Sequence, residues 1–192
     1  MFRAGRDRLG GVTQRYAAFV RAINVGTANR IKMVDMAALF ERAGCRDVTW
    51  HLQSGNMVFR VDDDLAADRE SLTAGIEESL VAHGLKNAAV MVRSTDELDG
   101  LLARAPFVEY DNAEFFFSVS FLRRPPKATP TERLDREGVV VTYLDDLVVS
   151  AAIPRSAKLT GGMSTLIDKP WGTPTTTRWW NVVEAVAAKA VA

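Results

Sequence analysis

The sequence contains a single cysteine, Cys45, and this scarcity excludes an internal disulfide framework. No apolar run approaches the roughly 20 residues that a membrane-spanning helix needs. Residues 1–15 lack the apolar segment of a secretory signal peptide. Together with a hydrophobic fraction of 47%, these absences predict a globular protein of the reducing cytoplasm with a sizeable core.

A net charge is also absent, because 24 basic residues balance 24 acidic ones. A general nucleic-acid-binding protein normally has a basic excess, so this balance weighs against that class. The charges are uneven along the chain, since residues 1–15 contain four arginines and one aspartate. We interpret residues 1–15 as a flexible basic leader, and a transit segment or a nucleic-acid-binding arm stays open as an alternative.

Signatures of catalysis and metal binding are lacking as well. Neither His51 nor His83 has a partner at metal-ligand spacing, and no phosphate-binding glycine loop is present. Cys45 has no histidine nearby in sequence, which favours a buried or half-buried structural thiol. A catalytic triad on Ser54 would need a nucleophile elbow, which its flanking residues do not resemble. The sequence therefore predicts no catalytic residue, no metal and no cofactor.

What the chain does contain is an alternation of β-type and helical patterns. In the first half, helical patterns around Met36 and Ile76 separate apolar, β-type runs at residues 16–25, 48–51, 57–61 and 88–92. The resulting order, β-α-β-β-α-β, is the ferredoxin-like arrangement. A short helix beginning at Thr95 follows it. We therefore predict an N-terminal ferredoxin-like lobe over residues 16–108.

The second half repeats this order in part. A strand is predicted at residues 115–122, and a hairpin around Asp145. Between them, a capping box at residues 129–132 predicts the start of a short helix that stops at Gly138. Two helices follow, one around residues 164–169 and one that Thr177 caps. The order β-α-β-β-α-α echoes the first half and predicts a C-terminal α+β lobe over residues 109–192. The predicted fold class is α+β, with two ferredoxin-like lobes that arose by structural duplication.

Polar residues lie at the ends of these apolar elements, where a binding site could form. Amide side chains both donate and accept hydrogen bonds, and arginine suits carboxylates or phosphates. Arg178 and Asn181 are predicted in the first turn of the last helix, whose free N–H groups would also suit an anion. In the alternative interpretation, Asn24 and Asn56 stabilise turns and Arg178 pairs with a carboxylate. The polar candidates are Arg21, Asn24, Lys32, Gln53, Ser54, Asn56, Arg178 and Asn181.

Three motifs carry a resemblance to a known family. Residues 21–26 read R-A-I-N-V-G, residues 53–59 read Q-S-G-N-M-V-F, and residues 177–183 read T-R-W-W-N-V-V. In this order and spacing, they resemble the domain of unknown function 1697 family, over about residues 16–187. The resemblance implies a two-lobed α+β fold, and it adds Gly26 and Gly55 to the candidate site. It implies no particular reaction.

The sequence is compatible with three classes of function. The first is a binding module for a small polar or anionic ligand, which requires the three motifs to meet on one concave surface. The second is a nucleic-acid or protein interaction domain, because ferredoxin-like sheets can bind RNA through exposed aromatic residues. The third, an enzyme, would need a nucleophile and a base within hydrogen-bonding distance. We favour the binding module, then the interaction domain, then the enzyme.

Overall fold

The computed structural model describes residues 14–25, 29–66, 68–159 and 162–192. The predicted leader therefore lies outside the described residues, apart from Gln14 and Arg15, which belong to the first strand. Gly26, a predicted site residue, also lies outside them. Within the described ranges, no helix is both long enough and apolar enough to cross a membrane.

The N-terminal lobe contains one four-stranded antiparallel sheet in the order β2-β3-β1-β4. This is the strand order of a ferredoxin-like unit, in which each helix returns the chain across one face of the sheet. Its elements are β1 (Gln14–Val20), α1 (Met33–Arg42), β2 (Arg46–His51), β3 (Asn56–Val61), α2 (Asp63–Ala66), α3 (Arg69–Ala82), β4 (Val90–Ser94) and α4 (Thr95–Ala103).

The C-terminal lobe contains a second four-stranded antiparallel sheet in the equivalent order β6-β7-β5-β8. The predicted α+β class with two ferredoxin-like lobes is confirmed. Its elements are β5 (Phe115–Leu122), α5 (Glu132–Arg136), β6 (Val140–Leu144), β7 (Val148–Pro154), α6 (Met163–Trp171), β8 (Thr175–Trp179) and α7 (Trp180–Val191).

The sequence prediction missed strand β8, and this changes the position of Arg178. Residues 175–179 pair with β5 in the register Val119↔Arg178, so Thr177 is a strand residue rather than a helix cap. The β-branched run Thr175–Thr177 suits a pleated strand better than a helix. Helix α7 begins at Trp180, and the second lobe thus completes the β-α-β-β-α-β order of the first.

Two helix starts follow local capping chemistry, whereas the start of α5 differs from its prediction. Ser94 and Glu97 form a reciprocal capping box at the start of α4, which is the helix predicted to begin at Thr95. Asp68 caps α3 by accepting from the backbone N–H of Ser71. The capping box predicted at Thr129 does not start α5, which begins later, at Glu132. Its N-cap residue is Thr131, whose hydroxyl donates to the Asp135 carboxylate instead of capping the backbone.

The core has three layers of apolar side chains. One layer lies between the first sheet and helices α1 and α3, and a second lies under α5 and α6 in the other lobe. The third joins the two lobes, because each sheet turns its second face towards the other and towards α4 and α7. Phe19 and Phe121 stack at the centre of this layer, with ring centroids 3.9 Å apart. The lobes therefore share one interior instead of being joined only by a linker.

Candidate functional site

The two lobes are related by an approximate two-fold symmetry that the strand registers make explicit. Arg93 on β4 lies opposite Ala17 on β1, and Arg178 on β8 lies opposite Val119 on β5. Each arginine therefore occupies the same place in its own lobe. Each also reaches into the other lobe, where Arg93 lies over the ring of Phe121 and Arg178 over that of Phe19.

Arg178 uses all five of its N–H donors on groups around the interface between the lobes. Its Nε donates to the Asn56 side-chain oxygen, and Nη2 donates to the carbonyls of Val20 and Ser54, each at 2.9 Å. The two remaining donors, on Nη1, bond to the Thr176 hydroxyl and the Thr177 carbonyl. A guanidinium supplies five donors in a rigid fork, which suits this many-sided contact. Arg178 thus connects β8 to β1 and to the β2–β3 turn.

None of these five acceptors is a carboxylate, so the alternative in which Arg178 pairs with an acidic residue is wrong. Loss of solvent on burial lowers the pKa of Arg178 to about 10, which leaves it charged at neutral pH. A partly buried cation bonded only to neutral oxygens favours a negative charge in its surroundings. The prediction that placed Arg178 at a helix N-terminus is also wrong, since it lies inside β8.

A cavity of about 630 Å³ opens beside Arg178 between the two lobes, and we call it the inter-lobe cavity. This volume lies in the range of small-molecule sites. The side chains of Ile23, Val25, Leu52 and Val182 and the ring of Trp179 form much of its wall. Its polar lining comes from Arg21, Ser54, Ser164, Thr176, Thr177 and Arg178. All three sequence motifs therefore contribute residues to this cavity.

The polar groups of the inter-lobe cavity are held in place by neighbouring side chains. Arg21 forms an ion pair with Asp168 of α6, which crosses between the lobes. The Thr177 hydroxyl lies 2.8 Å from that of Ser120 and 3.3 Å from that of Ser164. Hydroxyl hydrogens rotate, so this chain can present either a donor or an acceptor to the cavity.

The first turn of α6 also borders the cavity. Gly162, at the N-cap position, and the next two residues, Met163 and Ser164, all line it. The N-cap glycine has no side chain that could accept from the N–H groups of this turn. The positive end of the helix dipole therefore faces the same space as the guanidinium of Arg178.

Other predicted site residues lie in a second, more open depression on the far side of the β2–β3 turn. Asn24, Lys32 and Gln53 line it together with His83. The Asn24 amide bonds both backbone groups of Ile31 and the carbonyl of Gln53, so it organises the loops instead of being free for a ligand. Lys32 lies at the N-cap position of α1 and is exposed.

The motif around Gly55 and Asn56 is mainly structural. Gly55 has φ of 75°, and a Cβ there would lie 3.0 Å from the Cβ of Val20, so glycine is required. Asn56 is fully buried and donates to the His51 carbonyl and the Ser54 hydroxyl while it accepts from Arg178. Asn181 is exposed on α7 and is not among the residues that line the inter-lobe cavity.

Within the described residues, no group of three or more histidine, cysteine, aspartate or glutamate side chains could hold a metal ion. Cys45 is buried, and loss of solvent raises the pKa of its thiol to about 12, which keeps it protonated. Sequence reasoning missed two residues of this interface, Asp168 and Arg93. Arg93 follows Val90, Met91 and Val92 in an apolar strand, and a charge at such a position was the available signal.

The fold and the cavity define a class: a two-lobed α+β protein whose ferredoxin-like lobes enclose a cleft at their shared interface. The model of the family described as protein of unknown function (DUF1697) matches residues 13–144. The match covers more than half of the 192 residues, and the chain belongs to this family. The motif at residues 177–183 lies beyond the matched range.

The fold is similar to that of a solved structure, the conserved bacterial protein SP0830 from Streptococcus pneumoniae. The two chains align with a TM-score of 0.61 and 18% sequence identity. The alignment covers 92% of this chain and 98% of that chain. At this identity the likeness shows the fold alone. A comparison with curated proteins finds no match.

Proposed function

We propose that this protein is a cytoplasmic binding module for a small anionic ligand that also has an apolar part. The observation that carries the proposal is the charge of Arg178, which borders the inter-lobe cavity without a carboxylate partner. Because all five of its donors are engaged, Arg178 acts on the ligand through its charge. Direct hydrogen bonds would come from Ser164 and Thr177.

The lining of the cavity supports both parts of this ligand. A carboxylate or phosphate next to Ser164 would meet the N-terminal turn of α6, where backbone N–H groups and the helix dipole favour an anion. An apolar group would pack against Leu52, Val182 and Trp179. Apolar walls with a few convergent polar groups are typical of small-molecule sites.

The charge at residue 164 provides the sharpest test. Ser164→Asp adds a negative charge in the first turn of α6, which suits the helix dipole and supplies Arg178 with a counter-charge. The variant should therefore fold well and lose affinity for an anion. Ser164→Asn is the matched neutral control. Purified protein would be screened by thermal shift with hexanoate, phenyl phosphate and benzoate, and with hexanol as an uncharged probe.

A ligand present at a hundred times its dissociation constant stabilises the folded state by about 2.7 kcal/mol. For a chain of this length, that corresponds to a rise of roughly 5–10 °C in melting temperature. We expect at least one anionic probe to produce this rise in the natural sequence and in Ser164→Asn, and not in Ser164→Asp. Equal responses in all three proteins, or none in any, would refute the proposal.

A protein partner at the mouth of the same cavity is the second candidate. Trp179 is 51% exposed and Phe116 is 41% exposed, and their ring centroids lie 5.7 Å apart. Exposed aromatic pairs are common in protein interfaces. Phe116→Ala should weaken capture of such a partner and leave anion binding unchanged, because Phe116 is not among the residues that line the cavity, so the two functions can be separated.

A further inference from the structure

Arg93 is the symmetry equivalent of Arg178, and only 3% of its surface is exposed. Its Nη2 donates to the carbonyls of Leu122 and Leu147 in the other lobe, at 2.8 and 2.7 Å. Its Nη1 donates to the carbonyl of Val92. These bonds parallel those that Arg178 makes to Val20 and Ser54. The two arginines differ at Nε, and also at Nη1, where Arg178 has a second acceptor in the Thr176 hydroxyl and Arg93 has none among the described residues.

The Nε atom of Arg93 is buried and has no hydrogen-bond acceptor among the described residues. The strand registers explain this. Phe19 lies opposite Asn56 in the first lobe, and Phe121 lies opposite Val148 in the second. Val148 therefore stands where Asn56 stands for Arg178, and valine has no oxygen to offer. A buried donor left without an acceptor is costly, and few persist in native structures.

A cavity of about 590 Å³ is lined by both Arg93 and Val148. We call it the Arg93 cavity. Phe121, Leu98 and Leu101 supply apolar wall. At its rim the guanidinium of Arg104 lies 4.8 Å from the ring centroid of Tyr143. The cavity thus combines apolar and aromatic surface with the charged side chain of Arg93, which has unused donors.

The charges around the Arg93 cavity disfavour an anion. Two arginines, Arg93 and Arg104, face four carboxylates in its lining: Asp96, Glu97, Asp145 and Asp146. Glu97 accepts from Arg69, and Asp145 accepts from the N–H groups of Leu147 and Val148. An incoming carboxylate would meet this acidic rim, whereas a neutral oxygen would not.

From these observations we infer that the Arg93 cavity binds a neutral carbonyl or amide compound with an aromatic or apolar body. The ligand oxygen accepts from Arg93 and takes the role that the Asn56 side chain has in the other lobe. The body of the ligand packs against Phe121 and the leucines of α4. This site is separate from the inter-lobe cavity and does not depend on the function proposed for it.

Benzamide is a suitable probe, with benzoate as its charged counterpart and toluene as a counterpart without an acceptor. In ¹⁵N-labelled protein, the Nε–H signal of Arg93 would be followed during titration at millimolar concentrations. We expect benzamide to shift this signal in a saturable way, benzoate to bind at least several-fold more weakly, and toluene to leave it unchanged. No response to benzamide would overturn the inference and leave a cavity filled only by water.

Val148→Asn supplies the missing acceptor from within the chain. It should shift the Arg93 Nε–H signal without any ligand and weaken benzamide binding at least tenfold. An unchanged benzamide affinity in a folded Val148→Asn protein would contradict the proposal.

Gly100 offers an independent variant if Val148→Asn does not fold. It lies on α4 in the lining of the Arg93 cavity, and a Cβ there meets no atom within 4 Å. Gly100→Leu should therefore fill part of the cavity and reduce benzamide binding, while Gly100→Ala keeps it. Equal benzamide affinity in both variants would also contradict the proposal.

Discussion

Arg178 and Asn56 form a single structural unit at the interface between the lobes. The guanidinium reaches β1, the β2–β3 turn and its own strand, and Asn56 completes its bonding at Nε. The amide of Asn56 in turn bonds the His51 carbonyl, so the pair also stabilises the turn. Both residues were predicted as ligand contacts, and the structure gives each of them a complete set of bonds within the protein.

Asn56→Val should reproduce around Arg178 the environment that Arg93 has naturally. It leaves a buried N–H donor without its acceptor, and we expect a loss of about 1–3 kcal/mol in the free energy of unfolding. Urea denaturation measures this loss. Asn181→Val is the matched control, because Asn181 is exposed on α7 and should change stability by about 0.5 kcal/mol or less. Equal effects of the two changes would mean that the Asn56–Arg178 bond adds nothing.

At the scale of single elements, strand β8 shows where local sequence patterns mislead. Thr177 before an apolar helical face is typical of a helix cap, and α7 does follow. The threonines before it nevertheless pair with β5, because that strand needs a neighbour on its open edge. Pairing between residues about 57 positions apart, such as Ser120 and Thr177, is set by the tertiary fold and has no short-range signal.

Two glycines inside helices should be replaceable with a gain in stability. Gly75 in α3 and Gly100 in α4 have helical neighbours, and a Cβ at either position meets no atom within 4 Å. Alanine restricts the unfolded chain more than glycine does, so each substitution should add about 0.5–1 kcal/mol to the free energy of unfolding.

Gly55→Ala is the contrasting variant, because its positive φ and its contact with Val20 should make alanine destabilising there. Urea denaturation of the three variants would check the order. A loss of stability in Gly75→Ala would contradict the open space around Gly75 in α3.

At the scale of the whole molecule, ion pairs join the lobes at symmetry-equivalent places. Arg21 follows β1 and pairs with Asp168 of α6, whereas Arg123 follows β5 and binds Glu70 and Glu77 of α3. The Arg123 side chain is only 6% exposed, and its bonds to the two glutamates are 2.7–3.0 Å long. The interface is therefore stabilised by charge as well as by the shared apolar layer.

This arrangement makes stability sensitive to acid. The hydrogen bond from Arg123 lowers the pKa of Glu70 below its usual value. A carboxylate with a lowered pKa stabilises the fold above the pKa of the unfolded chain, about 4.3. That stabilisation is lost as the pH falls through the lower pKa of the folded state. Glu70→Gln should therefore reduce stability at pH 7 and flatten its decline below about pH 4.3.

Urea denaturation at several pH values would measure this dependence. Glu78→Gln, on the exposed side of the same helix, is the control and should keep the steep acid decline of the natural sequence. If Glu70→Gln and the natural sequence lose stability in parallel between neutral and acid pH, the contact between Glu70 and Arg123 does not contribute to folding.

The sequence by itself determined the class of the fold and most of its elements. Alternating apolar runs, helical periods and local caps such as Ser94 with Glu97 act over a few residues, so they can be recognised without the fold. The family resemblance also rested on local motifs, and the match to residues 13–144 agrees with it. Asn24 and Asn56 bond backbone groups of the turns around them, as the alternative interpretation expects, and a role of either residue in ligand binding stays a prediction.

Only the tertiary structure decided which polar residues line a cavity and which connect the lobes. Burial and bonding depend on neighbours distant in sequence: Arg178 meets Val20 and Ser54, and Arg93 meets Leu122 and Leu147. Asn56 and Val148 are far apart in sequence, and only the strand registers show that they occupy equivalent positions in the two lobes. A hydrogen-bond donor is satisfied or left free by the atoms around it in space, and no local pattern specifies those atoms.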